Sequence, residues 1–162
     1  MLYFHHLSAR ECNNMSIILS NRKAYYNFEI LERFSAGIKL TGYEVKSLKT
    51  AKGGSLIGSF LITYNGKLWI KNLRIPHYQP ANMPASYNPL RTRELLVTKR
   101  ELHTIANNLT TKGLTAIPLA VHNNRHRIVV ECAIGRGKQK YDKRQTLRKR
   151  EDEIKMRRVV MR

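Results

Sequence analysis

The chain has 162 residues, 42% of them hydrophobic, which suits one domain with appendages. It carries a formal net charge of +19, and such an excess has few natural partners other than a polyanion. No apolar run approaches the ~18 residues of a membrane span, and Cys12 and Cys132 are too few and too far apart for a disulfide scaffold or a zinc site. Reduced thiols in a cytoplasmic setting are the expectation.

Residues 1–20 are expected to be a leader, disordered or not native. The stretch lacks the basic start and long apolar run of a secretory signal. Met15 offers an alternative start, which would place 1–14 outside the native chain. From Asn21 to Gly137 the pattern is globular. Tyr26 to Phe34 alternates as a strand, Ser35-Ala36-Gly37 interrupts it, and Ile38-Lys39-Leu40 resumes it. Tyr43 to Leu48 fits a short helix, and Lys52-Gly53-Gly54-Ser55 is a loop. Leu56 to Tyr64 and Lys67 to Ile75 are strands joined by Asn65-Gly66, the strongest hairpin signal in the chain.

Pro76 to Pro89 contains four prolines and is expected to be a long loop. Thr98 and Glu101 form a capping box, with Leu102, Ile105, Ala106 and Leu109 following at helical spacing and Lys112-Gly113 ending the helix. Leu114 to Val121 and Arg127 to Ile134 make a second hairpin. Short strands with a packed helix in a basic chain predict a mainly β fold: a small OB-like barrel at 21–137.

Residues 138–162 form a basic tail. From Arg136 onward there are 12 Lys and Arg against 4 Asp and Glu, a local net charge of +8, so the other 135 residues hold +11. Thr146 to Met161 has no Pro or Gly, and Leu147, Ile154 and Met161 recur every seven residues as a thin apolar stripe. Such a segment is expected to be disordered alone and helical on RNA.

Catalytic and metal chemistry find little support. Lys52-Gly53-Gly54-Ser55 lacks the spacing of a phosphate loop. His122 and His126 straddle a hairpin turn, and Glu29 and Glu32 face opposite sides of a strand. The expectation is no enzyme, no metal and no cofactor. Tyrosines beside basic residues instead suit stacking on unpaired bases, Tyr141 in the tail above all. Phe28, Phe60 and Trp69 alternate along their strands and are expected in the core. On charge alone, Lys23, Lys46, Arg91 and Arg93 are the expected barrel contacts to RNA, and Lys138, Lys140, Lys143, Arg144, Arg148, Lys149 and Arg150 the expected tail contacts.

The sequence resembles the SmpB, or SsrA-binding, family of bacterial trans-translation from about Asn21 to its end. The matching stretches are Asn21-Arg22-Lys23-Ala24, Ala36-Gly37-Ile38-Lys39-Leu40, Gly42-Tyr43-Glu44-Val45-Lys46-Ser47-Leu48, Pro89-Leu90-Arg91-Thr92-Arg93 and Gly137-Lys138-Gln139-Lys140-Tyr141-Asp142-Lys143-Arg144. The resemblance implies an OB-type barrel that binds the tRNA-like domain of tmRNA. It implies delivery of alanyl-tmRNA, in complex with elongation factor Tu, to stalled ribosomes. The tail would enter the decoding centre and mRNA channel against small-subunit rRNA. Asn21, Glu44 and Arg127 join the barrel contacts on this ground, and Tyr141 and Asp142 those of the tail. Three positions depart from the family's habit: Ser35 stands for an acid, Glu94 and Val129 for bases. Two of them fall at family positions tied to RNA binding, so weaker or redistributed affinity is expected. The alternative is a general RNA-binding or ribosomal OB protein whose tail threads rRNA.

Overall fold

The computed structural model describes residues 15–50, 53–79, 87–124, 127–139, 141 and 156. Its elements in chain order are β1 (Met15–Ser20), α1 (Arg22–Asn27), β2 (Phe28–Ile38), α2 (Gly42–Lys49), β3 (Phe60–Tyr64), β4 (Lys67–Lys71), β5 (Arg93–Leu96), α3 (Lys99–Thr110), β6 (Leu114–Asn124) and β7 (Arg127–Gly137). All pairings between these strands are antiparallel, and the order is β1-β6-β3-β4-β5-β2-β7 with β7 returning to β6. The ring closes through β6, which holds β7 along one edge and shares the other between β3 and β1. The expected OB-like barrel is present, and β1 extends the sheet beyond the ring along the edge of β6, with Ile18 and Leu19 packed against the main core.

Turn chemistry fixes the hairpins. Asn65 and Gly66 have φ of 50° and 67°, and Tyr64 pairs with Lys67, so a two-residue loop with both φ positive joins β3 to β4. At α3, Thr98 Oγ1 accepts from the Glu101 amide and Glu101 Oε2 accepts from the Thr98 amide, the reciprocal box expected from sequence.

The leader boundary moves. Residues 15–20 pair with β6, so this part of the expected leader belongs to the fold, and 1–14 lie outside the described residues. The strand expected from Tyr26 instead opens with α1, because Asn21 caps a helix there. Ser35-Ala36-Gly37 does not break β2: each pairs with β7, Ser35 opposite Glu131 and Gly37 opposite Val129. At Gly37 the neighbouring strand comes close, with Leu96 Cβ 3.4 Å from where a Gly37 Cβ would lie. The first hairpin strand is shorter than expected, since Leu56 to Ser59 turns with Gly58 at φ 77°.

The barrel interior is filled by Leu61, Leu68, Ile70, Leu95, Val121, Val130 and neighbours, with α3 adding Ile105. A smaller outer cluster joins Ala24 of α1 to Ile117, Leu119 and Ala133. The middle of β6 is therefore covered on both faces, which is why Ala116 to Val121 is a continuous apolar run rather than an alternating one. Pro118 is tolerated there because the β6 register slips between Pro118 and Ala120.

Candidate nucleic-acid interface

Asn21 is the joint between the outer helix and the barrel. Its Oδ1 accepts from the Ala24 amide at 3.2 Å, while Nδ2 donates to Leu56 O at 3.2 Å and Pro118 O at 3.1 Å. The Pro118 carbonyl is available because the strand is bulged at that point. Asn21 is 5% exposed and both ends of its amide are occupied, so its part is to build the fold rather than to touch RNA. Arg22 and Lys23, on the helix it caps, are exposed.

Glu44 lies in the first turn of α2 with no exposed surface. A buried carboxylate is tolerated only when paired and hydrogen-bonded. Oε2 accepts from the Thr41 amide at 2.9 Å and from Arg91 Nη2; Oε1 accepts from Arg91 Nε at 2.8 Å and Arg93 Nε at 2.9 Å. Burial pushes the carboxyl up, but Arg91, the Thr41 amide and Arg93 together hold it at about 2. The two arginines stand two residues apart, which brings both to one carboxylate.

Arg93 is fully buried. Beyond Glu44, its Nη1 donates to Leu73 O at 2.6 Å and Arg91 O at 2.9 Å, and Nη2 to Pro89 O at 3.1 Å. It ties Leu73, Pro89 and Arg91 to the barrel, and neither it nor Glu44 is open to a phosphate. The expectation that both contact RNA directly gives way to a structural role. Arg91 differs: about a third of its side chain is exposed (33%). Glu44 hydrogen bonds raise its pKa, and the Tyr43 and Tyr87 hydroxyls contribute in the same direction.

Tyr87 and Tyr43 meet edge to face at 5.4 Å, and His77 meets Tyr87 at 5.0 Å. The Tyr87 hydroxyl donates to Ile75 O at 2.9 Å, which fixes the ring beside the Glu44 pair. His77 and Lys46 are exposed. Sequence reasoning did not single out His77; its place between Pro76 and an aromatic-containing loop is the available signal.

A second set of basic side chains is spread along β2, β6 and β7 and at the exit of the chain after Gly137. Arg33 lies 5.6 Å from the Tyr25 ring and 3.3 Å from Glu131, and His122 Nε2 is 3.3 Å from the other Glu131 oxygen. The Lys138 amide donates to Asn27 O at 2.8 Å and its Nζ to Tyr25 O at 3.2 Å, which holds the start of the tail on α1. Arg127 is exposed at the start of β7, two residues from the half-buried Val129. Glu94 binds Lys67 at 2.8 Å and Lys39 at 3.7 Å, so this departure from family habit engages two surface cations. Tyr141 is exposed. Lys140, Asp142, Lys143, Arg144, Arg148, Lys149 and Arg150 lie outside the described residues. Among the described residues no group of His, Cys, Asp and Glu could hold a metal, and no helix is long and apolar enough to cross a membrane.

Comparison with known proteins finds similarity along most of the chain. The family model described as "SmpB protein" matches residues 18–162. The SsrA-binding protein of Thermosipho africanus is 41% identical over 138 residues, 85% of this chain and 91% of that protein. The SsrA-binding protein of Synechococcus elongatus is 36% identical over 152 residues, 94% of this chain and 98% of that protein. A chain from a solved structure described as "tmRNA-SmpB: a journey to the center of the bacterial ribosome" aligns with TM-score 0.63 and 38% identity, covering 80% of this chain and 94% of that one.

Proposed function

The chain belongs to the SmpB family, and we propose on that footing that it binds the tRNA-like domain of tmRNA and brings it to ribosomes stalled in translation. The observation that carries this is the family match along nearly the whole chain, combined with a closed barrel whose surface holds Lys23, Lys46, Arg91 and Arg127. Folded RNA offers a dense phosphate surface to such cations without any catalytic step. The relatives named as SsrA-binding proteins agree with that chemistry.

The division of labour follows from composition. The barrel takes the tRNA-like RNA, and the tail from Lys138 onward, with its local excess of cations, takes small-subunit rRNA in the decoding centre and mRNA channel. Delivery runs with alanyl-tmRNA bound by elongation factor Tu, in the cytoplasm. The protein acts by binding rather than by catalysis. RNA recovered with the purified protein tests this directly: tmRNA is the expected species. Recovery of ribosomal RNA alone, or equal affinity for the tRNA-like domain and an unrelated hairpin in a gel shift, would favour a general rRNA-binding role.

A further inference from the structure

The basic surface contains one place that offers more than charge. Tyr43, Tyr87 and His77 form an edge-to-face trio beside the Glu44–Arg91 pair. Tyr87 is pinned at its hydroxyl by Ile75 O, so the trio has a fixed centre. His77 is exposed and Tyr43 half-buried, so the outer rings keep surface that the trio itself does not cover. Lys46 stands three residues after Tyr43 on α2, on the same face of the helix. Arg91 spends Nε and Nη2 on Glu44, and among the described residues its Nη1 makes no hydrogen bond.

We propose that Tyr43, His77 and Tyr87 form a stacking subsite for one unpaired base of the bound RNA, with Lys46 and the Nη1 corner of Arg91 taking the adjacent phosphate. This deepens the reading above and rests on it only for the identity of the RNA. Aromatic faces held rigidly next to cations match a splayed-out nucleotide, because the base contributes a π face and the backbone a charge. A duplex offers its phosphates but no such face. The subsite therefore selects a folded RNA that has an unstacked loop nucleotide over one that is helical throughout. Glu44 acts here as a positioning residue: it holds Arg91 in one orientation by two parallel hydrogen bonds without touching RNA.

A purely structural trio would pack over Glu44 and nothing more, and salt separates the two cases. Stacking is largely indifferent to ionic strength, whereas each phosphate contact on single-stranded RNA steepens the log–log salt dependence by roughly 0.7. The experiment uses the full chain and the tRNA-like domain of tmRNA carrying 4-thiouridine at its loop positions. Near-ultraviolet cross-linking followed by peptide mapping is expected to mark the peptides containing Tyr43 or His77. Titrations at several salt concentrations are expected to show His77→Ala weakening binding about tenfold with an unchanged slope. Lys46→Ala is expected to flatten the slope by about one contact, roughly 0.7. His77 is exposed, so this variant folds as the wild type does, and a thermal melt checks it. Unchanged affinity in His77→Ala together with cross-links mapping only elsewhere would overturn the subsite while leaving the tmRNA reading intact. A wild-type protein without preference for the tRNA-like RNA would overturn that reading, and a cross-link from His77 to a single-stranded oligonucleotide would still support the subsite.

Discussion

Arg93 lies wholly inside the protein with its Nε 2.9 Å from Oε1 of Glu44, a carboxylate that is itself without exposed surface. Two formal charges thus meet in the interior of a chain whose formal net charge is +19. Removing one member of such a pair leaves the other buried and uncompensated. Glu44→Gln is accordingly expected to cost about 3–5 kcal/mol, read as a lower urea midpoint. Arg93→Lys is expected to lose stability too, because an ammonium cannot reproduce the fork that reaches Glu44, Leu73 and Pro89 together. A midpoint within error of wild type for Glu44→Gln would contradict this account.

The same carboxylate sets an acid dependence. Its pKa falls from 4.5 to about 2 on folding, so its stabilisation is complete above pH 4.5 and is lost as the pH drops through about 2. The stability difference between wild type and Glu44→Gln should therefore shrink steadily on acidification across that window. Urea melts at a series of pH values measure it, and a difference that stays constant would rule out the charged form as the stabilising species.

Asn21→Ala removes a cap and two buried donors at once. It should destabilise by about 1–3 kcal/mol while leaving the salt slope of RNA binding unchanged, since no phosphate contact is lost. A changed slope with unchanged stability would return Asn21 to the RNA interface.

Gly135 faces the carbonyl of Glu29, which would lie 2.7 Å from an added Cβ. The obstacle is backbone, so it cannot swing aside. Gly135→Ala is expected to push β2 from β7 at a cost of about 1–3 kcal/mol, visible as a depressed melting temperature.

Truncation after Gly137 should leave binding to the tRNA-like domain nearly intact and abolish peptide tagging on stalled ribosomes. The triple change Asp142→Ala, Lys143→Ala, Arg144→Ala should act in the same direction. Gel shifts and a tagging assay separate the two activities, and tagging that survives truncation would end the proposed division between barrel and tail.

Local signals were readable wherever a short stretch settles its own conformation. Asn65-Gly66 dictates a turn and Thr98 with Glu101 dictates a helix start, and both stand where expected. Signals failed where a partner distant in sequence decides. Ser35-Ala36-Gly37 looks like a break until β7 supplies hydrogen bonds, and β1 looks like leader until β6 supplies an edge. The same limit governs the site. Charge identified Arg91 and Arg93 alike, yet only packing distinguishes the half-open Arg91 from the engulfed Arg93. His77 belongs with Tyr87, ten positions further along the sequence, and neither residue alone announces the other.

Ring closure also imposes an order on synthesis. β2 emerges early and β7 last, and each needs the other to satisfy its backbone. Until Gly137 has been added, the nascent sheet keeps two unpaired edges, the condition under which strands recruit foreign chains. Pairings this distant in sequence also form slowly. A product cut short before Gly137 is thus an open, adhesive sheet rather than a smaller barrel, and the residues after β7 are the ones that can be lost without reopening it.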